Sequence, residues 1–320
     1  MILAGDIGGT KTNLGLFDVQ QGNLVRVADK RYSSRDHKGL EEIVSDFKSV
    51  IGVKVAAASF GIAGPVVDNR VRTGNLPWTI DGAAMARLLG LERVRLLNDL
   101  EATAYGISVM KPGDLETLYA GVPAPEASRV VIAAGTGLGE AILFWDGARH
   151  VPIATEGGHA DLAPQTMQHA ELWKYLKAQN ELVSNELVLS GRGFRVLHEF
   201  LDPSVKHAGF DGPPADAAPE ITRRALSGEC PVCAGAVDLW VEIYGSEAGN
   251  LAVRAVARGG IYVAGGIAVK ILPKLKSGRF VAAAQHKEKM TEFLAQVPIH
   301  VVLDEECPLK GAAYAVWKGY

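Results

Sequence analysis

Asp6-Ile7-Gly8-Gly9-Thr10-Lys11-Thr12 lies between two apolar runs, MILAG at 1–5 and NLGLFDV at 13–19. The runs read as strands and the stretch between them as a glycine turn. Adjacent glycines let the backbone approach a ligand closely and turn its N–H groups toward it. A phosphate suits such a turn, because it accepts several hydrogen bonds and pairs with Lys11. Asp6 would repel that phosphate unless a cation lay between them, which points to a Mg²⁺-nucleotide. Taken alone, the stretch fits an ordinary glycine hairpin almost as well.

A second copy changes the weighing. VVIAA at 130–134 is again an apolar strand, followed by Gly135-Thr136-Gly137-Leu138-Gly139-Glu140 and a strand AILFWDG at 141–147. The two units lie about 126 residues apart, as in a duplicated fold whose hairpins face one ligand from opposite sides. Neither turn is a dinucleotide fingerprint or a GxxxxGK[ST] loop, so phosphate contacts are expected from hairpins and not from a helix N-terminus.

With 320 residues, 48% apolar and 22% charged, the chain has room for two globular domains. A net charge of −3 implies neither an extended nucleic-acid surface nor an anionic membrane as partner. No basic start with a long apolar core opens the chain, and no apolar run reaches spanning length, so a cytoplasmic protein is expected. Cys230, Cys233 and Cys307 are too few and too scattered for a disulfide framework.

Leu24–Tyr32 reads as a third strand, and residues 39–51, with Leu40, Ile43, Val44, Phe47 and Ile51 at helical spacing, as an amphipathic helix. Val53–Ser59 predicts a buried strand running into a glycine turn at 60–65. Asp81 caps a helix through Leu89, and a strand over Arg93–Leu97 delivers Asn98-Asp99 to the start of the next helix, 100–109. Residues 111–128 read as a crossover, with the domain boundary near 110. Helices are expected at 170–179 and 186–201, the latter interrupted at 190–193, and a surface loop at 203–219. A long helical pattern at 231–258 is broken by Gly245 and Gly249. A strand at 260–264 ends in a third glycine turn, Gly265-Gly266-Ile267. Ile299–Leu303 is a last strand and Lys310–Lys318 a closing helix that returns to the first domain.

Open α/β sheets bind ligands beyond the carboxyl ends of their strands, where Asn98 and Asp99 fall. A carboxylate there can accept the proton of an attacking hydroxyl, and an Asn–Asp pair fits a polyhydroxylated substrate. The competing reading makes Asp99 a helix cap. Glu156 and His159, with two glycines between them, suit sugar hydroxyls better than a metal, since further His or Cys ligands are not near. An ordinary loop carboxylate and histidine fit that spacing equally well. Glu186 reads as a first-turn helix carboxylate. Cys230-Pro231-Val232-Cys233 has no second pair at zinc spacing and reads as two small apolar side chains at a helix start.

In order and spacing, Asp6–Thr10, Asn98-Asp99, Ala134–Gly139, Glu156–His159, Ser184–Gly191 and Ala264–Ile267 resemble the bacterial glucokinases of the proteobacterial type. Asn75-Leu76-Pro77-Trp78, Cys230-x-x-Cys233 and Gly249-Asn250-Leu251-Ala252 extend the resemblance over nearly the whole chain. It implies an α/β, two-domain, actin-like (ribonuclease H-like) sugar kinase fold with an interdomain cleft. The small domain would comprise 1–109 with 300–320 returning, and the large domain 110–299.

By the same resemblance Gly5, Asp6, Ile7, Gly8, Gly9, Thr10 and Lys11, with Gly135, Thr136 and Gly137, would hold the ATP phosphates. Gly265 and Gly266 would lie against the adenosine, and Asp6 would reach Mg²⁺ through a water. Asn98, Asp99, Glu156, His159 and Glu186 match the family's glucose-binding positions, with Asp99 as base. The implied reaction is ATP-dependent phosphorylation of D-glucose to glucose 6-phosphate, the first step of glycolysis, by a homodimer with 231–258 as a contact.

Two departures stand out. The cysteine-rich zinc motif of the related ROK family is missing, so no structural zinc is expected. Lys11 stands where some members carry asparagine. A kinase for fructose or mannose on the same scaffold is the main alternative. A ROK-like sugar-sensing regulator would need a helix-turn-helix ahead of the first strand, which is expected from Ile2. A pure actin-like ATPase would not need the sugar-facing groups.

Overall fold

The computed structural model describes residues 1–74 and 76–319; Asn75, part of one matched motif, lies outside them. The chain forms two compact units. One comprises Met1–Pro112, His150–Ala154 and Asp304–Tyr320, and the other Gly113–Arg149 and Thr155–Leu303.

In the first unit β1 (Ile2–Ile7), β2 (Lys11–Gln20) and β3 (Asn23–Ser33) form an antiparallel meander. Strand β4 (Ala57–Ile62) pairs in parallel with β1, from Ile2↔Ala57 to Ile7↔Ile62. That register decides the strand's place: it begins later than the composition of 53–59 predicts and takes in Phe60-Gly61-Ile62, which was expected as a turn. A small ribbon, β5 (Arg70–Arg72) with β6 (Thr79–Asp81), stands beside the sheet. Strand β7 (Arg95–Asn98) then completes the order β3-β2-β1-β4-β7, parallel to β4.

Alternation along β1 covers the sheet on both faces. Leu3 and Ile7 join one core, with Leu40, Ile43, Val44 and Phe47 of the helix Leu40–Ile51. Each of these large apolar side chains contributes roughly 1.5–3 kcal/mol on burial. Ile2 and Ala4 join the other core, with Leu97, Ala102 and Tyr105 and with Leu309 and Ala312 of the closing helix Cys307–Trp317. Asp6 shares the parity of Ile2 and Ala4. Its side chain therefore belongs to the face against which the helix Asp99–Ile107 packs.

The second unit repeats the plan. After β8 (Leu115–Tyr119), β9 (Arg129–Ala134) and β10 (Leu138–Trp145) form the second glycine hairpin; β11 (His150–Thr155) is the edge strand of the same sheet, although its residues 150–154 group with the first unit. Strands β12 (Ile261–Ala264) and β13 (Ile299–Val302) add in parallel, giving the order β11-β10-β9-β12-β13-β8. The stretch read as a crossover thus holds an edge strand, paired antiparallel to β13. Because β13 lies in this sheet, residues 300–303 stay with the second unit and the return to the first begins at Asp304.

The core of the second unit is the helix Pro231–Ala255, which runs unbroken through Gly245 and Gly249. A Cβ at Gly245 would lie 2.3 Å from the Phe280 carbonyl oxygen, and one at Gly249 2.2 Å from that of Ala284. The glycines therefore seat the helix Arg279–Gln285 and do not end the long one. Trp240, Tyr244 and Phe194 stack around this helix. Most of its side chains are buried in the chain's own core, which leaves little of it for the subunit contact expected there. The loop predicted at 203–219 is shorter than expected, since a turn of 3-10 helix at Pro214–Ala217 leads into the helix Ala218–Ser227.

Candidate active site

In the first unit the glycine turn is tied from within. The Gly8 N–H donates to the Lys11 carbonyl (2.9 Å) and the Ser34 N–H to the Thr10 carbonyl (3.0 Å). The Ser34 hydroxyl donates to the Gly8 carbonyl (2.8 Å) and shares a buried contact with the Thr12 hydroxyl (3.0 Å). Sequence reading missed Ser34, because nothing in its local pattern shows that it comes back under the turn. Gly9 is half-buried, and Thr10 and Lys11 are exposed. Gly5 and Ile7 are buried within β1, and a Cβ at Gly5 would meet the Phe60 ring at 2.5 Å.

Asp6 Oδ2 accepts from Asn13 Nδ2 at 3.2 Å, and Asn13 Oδ1 accepts from Arg31 Nε at 2.9 Å. Burial holds the Asp6 carboxyl above the usual carboxylate range, against the Asn13 hydrogen bond and the Arg31 charge. A carboxyl disfavoured as an anion by burial is one that a nearby cation would favour. These residues therefore fit a hydrated Mg²⁺, the ion expected to accompany a nucleotide.

Asn98, not Asp99, caps the helix Asp99–Ile107. Its Oδ1 accepts from the N–H groups of Leu100 (2.8 Å) and Glu101 (3.3 Å), while its Nδ2 donates to the Gly64 carbonyl (3.1 Å). Asp99 follows as the first helical residue, half-buried, with Oδ1 accepting from the Leu100 N–H at 2.9 Å. A Cβ at Gly61 would come within 2.7 Å of Ala102 Cβ, so that glycine lets the Asp99 helix lie close on β4.

In the second unit the Gly135–Gly137 turn is closed by the Gly135 N–H on the Gly137 carbonyl (2.8 Å), and the Gly135 carbonyl accepts from the Gly191 N–H (2.9 Å). Thr136 is exposed at its tip. Glu186 reaches this turn directly. Its Oε2 accepts from the Leu138 N–H at 3.1 Å, its Oε1 lies 3.4 Å from Arg192 Nη2, and a Cβ at Gly137 would meet Oε2 at 2.4 Å.

Glu156 and His159 are exposed at the two ends of a short 3-10 turn, Gly157–His159. Gly158 between them lies so close to the Leu138 carbonyl that a Cβ would sit 2.1 Å from it. The Asn185 N–H donates to the Ala160 carbonyl (2.9 Å), which binds this turn to the segment carrying Glu186. Glu156, His159 and Glu186 are therefore held on one connected backbone framework with the glycine hairpin.

Beneath it lies Glu140, 1% exposed, whose Oε2 would be 2.1 Å from a Cβ at Gly157. Burial, and then the charge of Glu247, push its carboxyl up to about 8 against the pull of Arg254. The third glycine pair opens differently from the hairpins. Gly265, at φ 88°, follows β12 and leads straight into a five-residue helix, Gly266–Lys270, where a glycine turn was expected at the strand's end. A Cβ at Gly265 would meet the Ala134 carbonyl at 2.6 Å, which with its positive φ reserves the position for glycine.

The two hairpins, the Asn98-Asp99 helix start and the Glu156–His159 turn follow in the order of one known family, whose glucokinase model matches residues 3–318. The chain belongs to the glucokinase family. It is 37% identical to a glucokinase of Nostoc sp. over 334 aligned positions, which cover 98% of each chain. The structure of a glucokinase from an Antarctic psychrotroph superposes with a TM-score of 0.88 at 29% identity, over 99% of each chain. A ROK-family glucokinase from Streptomyces griseus, solved with glucose and AMPPNP, gives a TM-score of 0.67 at 21% identity over 99% of each chain, a likeness of fold alone. The fold is the α/β, actin-like one of these sugar kinases. No helix among the described residues is long and apolar enough to cross a membrane.

Proposed function

We infer that this chain transfers the terminal phosphoryl group of ATP to the 6-hydroxyl of D-glucose. The observation that carries the reading is the family match over residues 3–318. The arrangement of the Asp99 helix start is consistent with it. In this reading Asn98, Asp99, Glu156, His159 and Glu186 bind the hexose, Asp99 taking the proton of its 6-hydroxyl. The hydroxyl oxygen bonds to the terminal phosphorus as the bond to the bridging oxygen breaks, leaving glucose 6-phosphate and ADP.

The turns Gly8–Lys11 and Gly135–Gly137 direct N–H groups at the phosphates, and Gly265-Gly266 lies against the adenosine. Asp6 would hold Mg²⁺ through a water. The ion neutralises charge on the β- and γ-phosphates when bound.

The working form we propose is a cytoplasmic homodimer, a reading that rests on family resemblance. A particle of 34.0 kDa, the mass of one chain, in sedimentation would rule out the dimer. A matrix of hexoses against phosphoryl donors, read by coupled ADP release, tests the reaction. Glucose with MgATP should give the highest kcat/KM. A clear preference for fructose or mannose would replace glucose as substrate, and ATP turnover indifferent to sugar would remove the kinase reading.

A further inference from the structure

The long central helix of the second unit starts at a cluster that phosphoryl transfer does not use. Cys230 is the N-cap of this helix and Cys233 lies one turn inside it. His198 stands in the last turn of the helix Gly191–Leu201, and His207 in the segment that follows. One ring nitrogen from each histidine and the two sulfurs all lie within 4.8 Å of one another. His207 Nε2 is 3.3 Å from Cys230 Sγ.

His198, Cys230 and Cys233 are buried, and neither ring nitrogen of His198 has a hydrogen-bond partner among the described residues. Ring contacts of His198 with Phe210 (5.0 Å) and His207 (5.4 Å) explain why the imidazole is packed here. They leave its two polar atoms unmatched, a costly state in a buried site.

We propose that His198, His207, Cys230 and Cys233 bind a structural Zn²⁺ ion. Two sulfurs and two imidazoles are the donor set that favours tetrahedral Zn²⁺, and four protein ligands leave no open position for catalysis. Tetrahedral Zn–S and Zn–N bonds place neighbouring ligand atoms roughly 3.3–3.8 Å apart. The His207–Cys230 edge, at 3.3 Å, already has that length, and no two of the four ligand atoms are more than 4.8 Å apart. Binding deprotonates both thiols and ties the segment after Leu201 to the first turn of the central helix. The pair of cysteines looked isolated in sequence because its partners lie upstream, 23 or more residues away and nine apart from each other, outside zinc-finger spacing.

The test is metal analysis of the full-length protein, purified under reducing conditions without chelator after growth with added zinc. About one zinc per chain is expected, falling to near zero in Cys233→Ala and in His198→Phe, while Cys307→Ala keeps it. Cobalt substituted for zinc should show the visible bands of a tetrahedral thiolate site. Stripping the metal should lower Tm, with recovery on adding Zn²⁺ but not Mg²⁺. Wild-type protein that takes up neither zinc nor cobalt when offered excess overturns the proposal, whatever the variants do. So does zinc bound equally by wild type and both variants.

Discussion

Asp6 and Asp99 leave the same end of one sheet, with a single strand between theirs. Asp6 of β1 is in register with Gly61 of β4, and the next residue of β4, Ile62, is in register with Asn98 of β7. Two strand spacings put the backbones roughly 9–10 Å apart. Parity turns Asp6 to the face on which the Asp99 helix packs. In the proposed reaction, one carboxylate serves the metal-bound phosphates and the other the attacking hydroxyl.

That relationship depends on Gly61. Gly61→Ala forces a methyl group to within 2.7 Å of Ala102 Cβ and should displace the start of the Asp99 helix. Overpacking of this kind costs about 1–3 kcal/mol, read as a lower denaturation midpoint, and kcat should fall with it. Adding Ala102→Gly should restore kcat, though not all of the stability, because glycine inside a helix costs about 1 kcal/mol. A double variant no better than Gly61→Ala would show that this contact is not the cause.

Glu186 links the proposed sugar site to the second glycine hairpin through the Leu138 N–H. Glu186→Ala should raise the KM for glucose by about 10–100-fold, the worth of a charge-assisted hydrogen bond. A smaller rise in the KM for ATP should accompany it as the hairpin loses its tie. Steady-state kinetics with each substrate varied in turn decides the matter. A change confined to ATP contradicts the sugar assignment.

Glu140 gives the fold a pH dependence of known sign. Its folded carboxyl titrates near 8 against an ordinary value of 4.5. The stabilisation from keeping it protonated is complete below pH 4.5 and is lost as the pH rises through about 8. Glu140→Gln should remove that loss. Its stability relative to wild type should therefore rise across this window by an amount on the order of a few kcal/mol, measured by urea denaturation at each pH. Parallel curves for the two proteins would show that Glu140 is ionised throughout.

What the sequence made legible is what is local. The first hairpin, the Asp81 cap and the helix Leu40–Ile51 announce themselves through adjacent glycines, a capping side chain and a helical period. The start of β4 was misplaced because its register with β1, not its own composition, decides where it begins. Likewise β8 takes its identity from pairing with β13, far along the chain. Gly245 and Gly249 looked like breaks because their purpose lies on another helix. Ser34, Glu140 and His198 carried no local signal, since each matters through what folding sets beside it.

Catalysis by Asp99 is the central claim, and kcat of Asp99→Asn at saturating glucose and MgATP tests it most directly. The amide oxygen can still accept from the Leu100 N–H, as the carboxylate does at 2.9 Å, so the helix start should survive the change. The account predicts a fall in kcat of about two to four orders of magnitude with the circular dichroism spectrum and glucose KM little altered. Turnover close to wild type would contradict it.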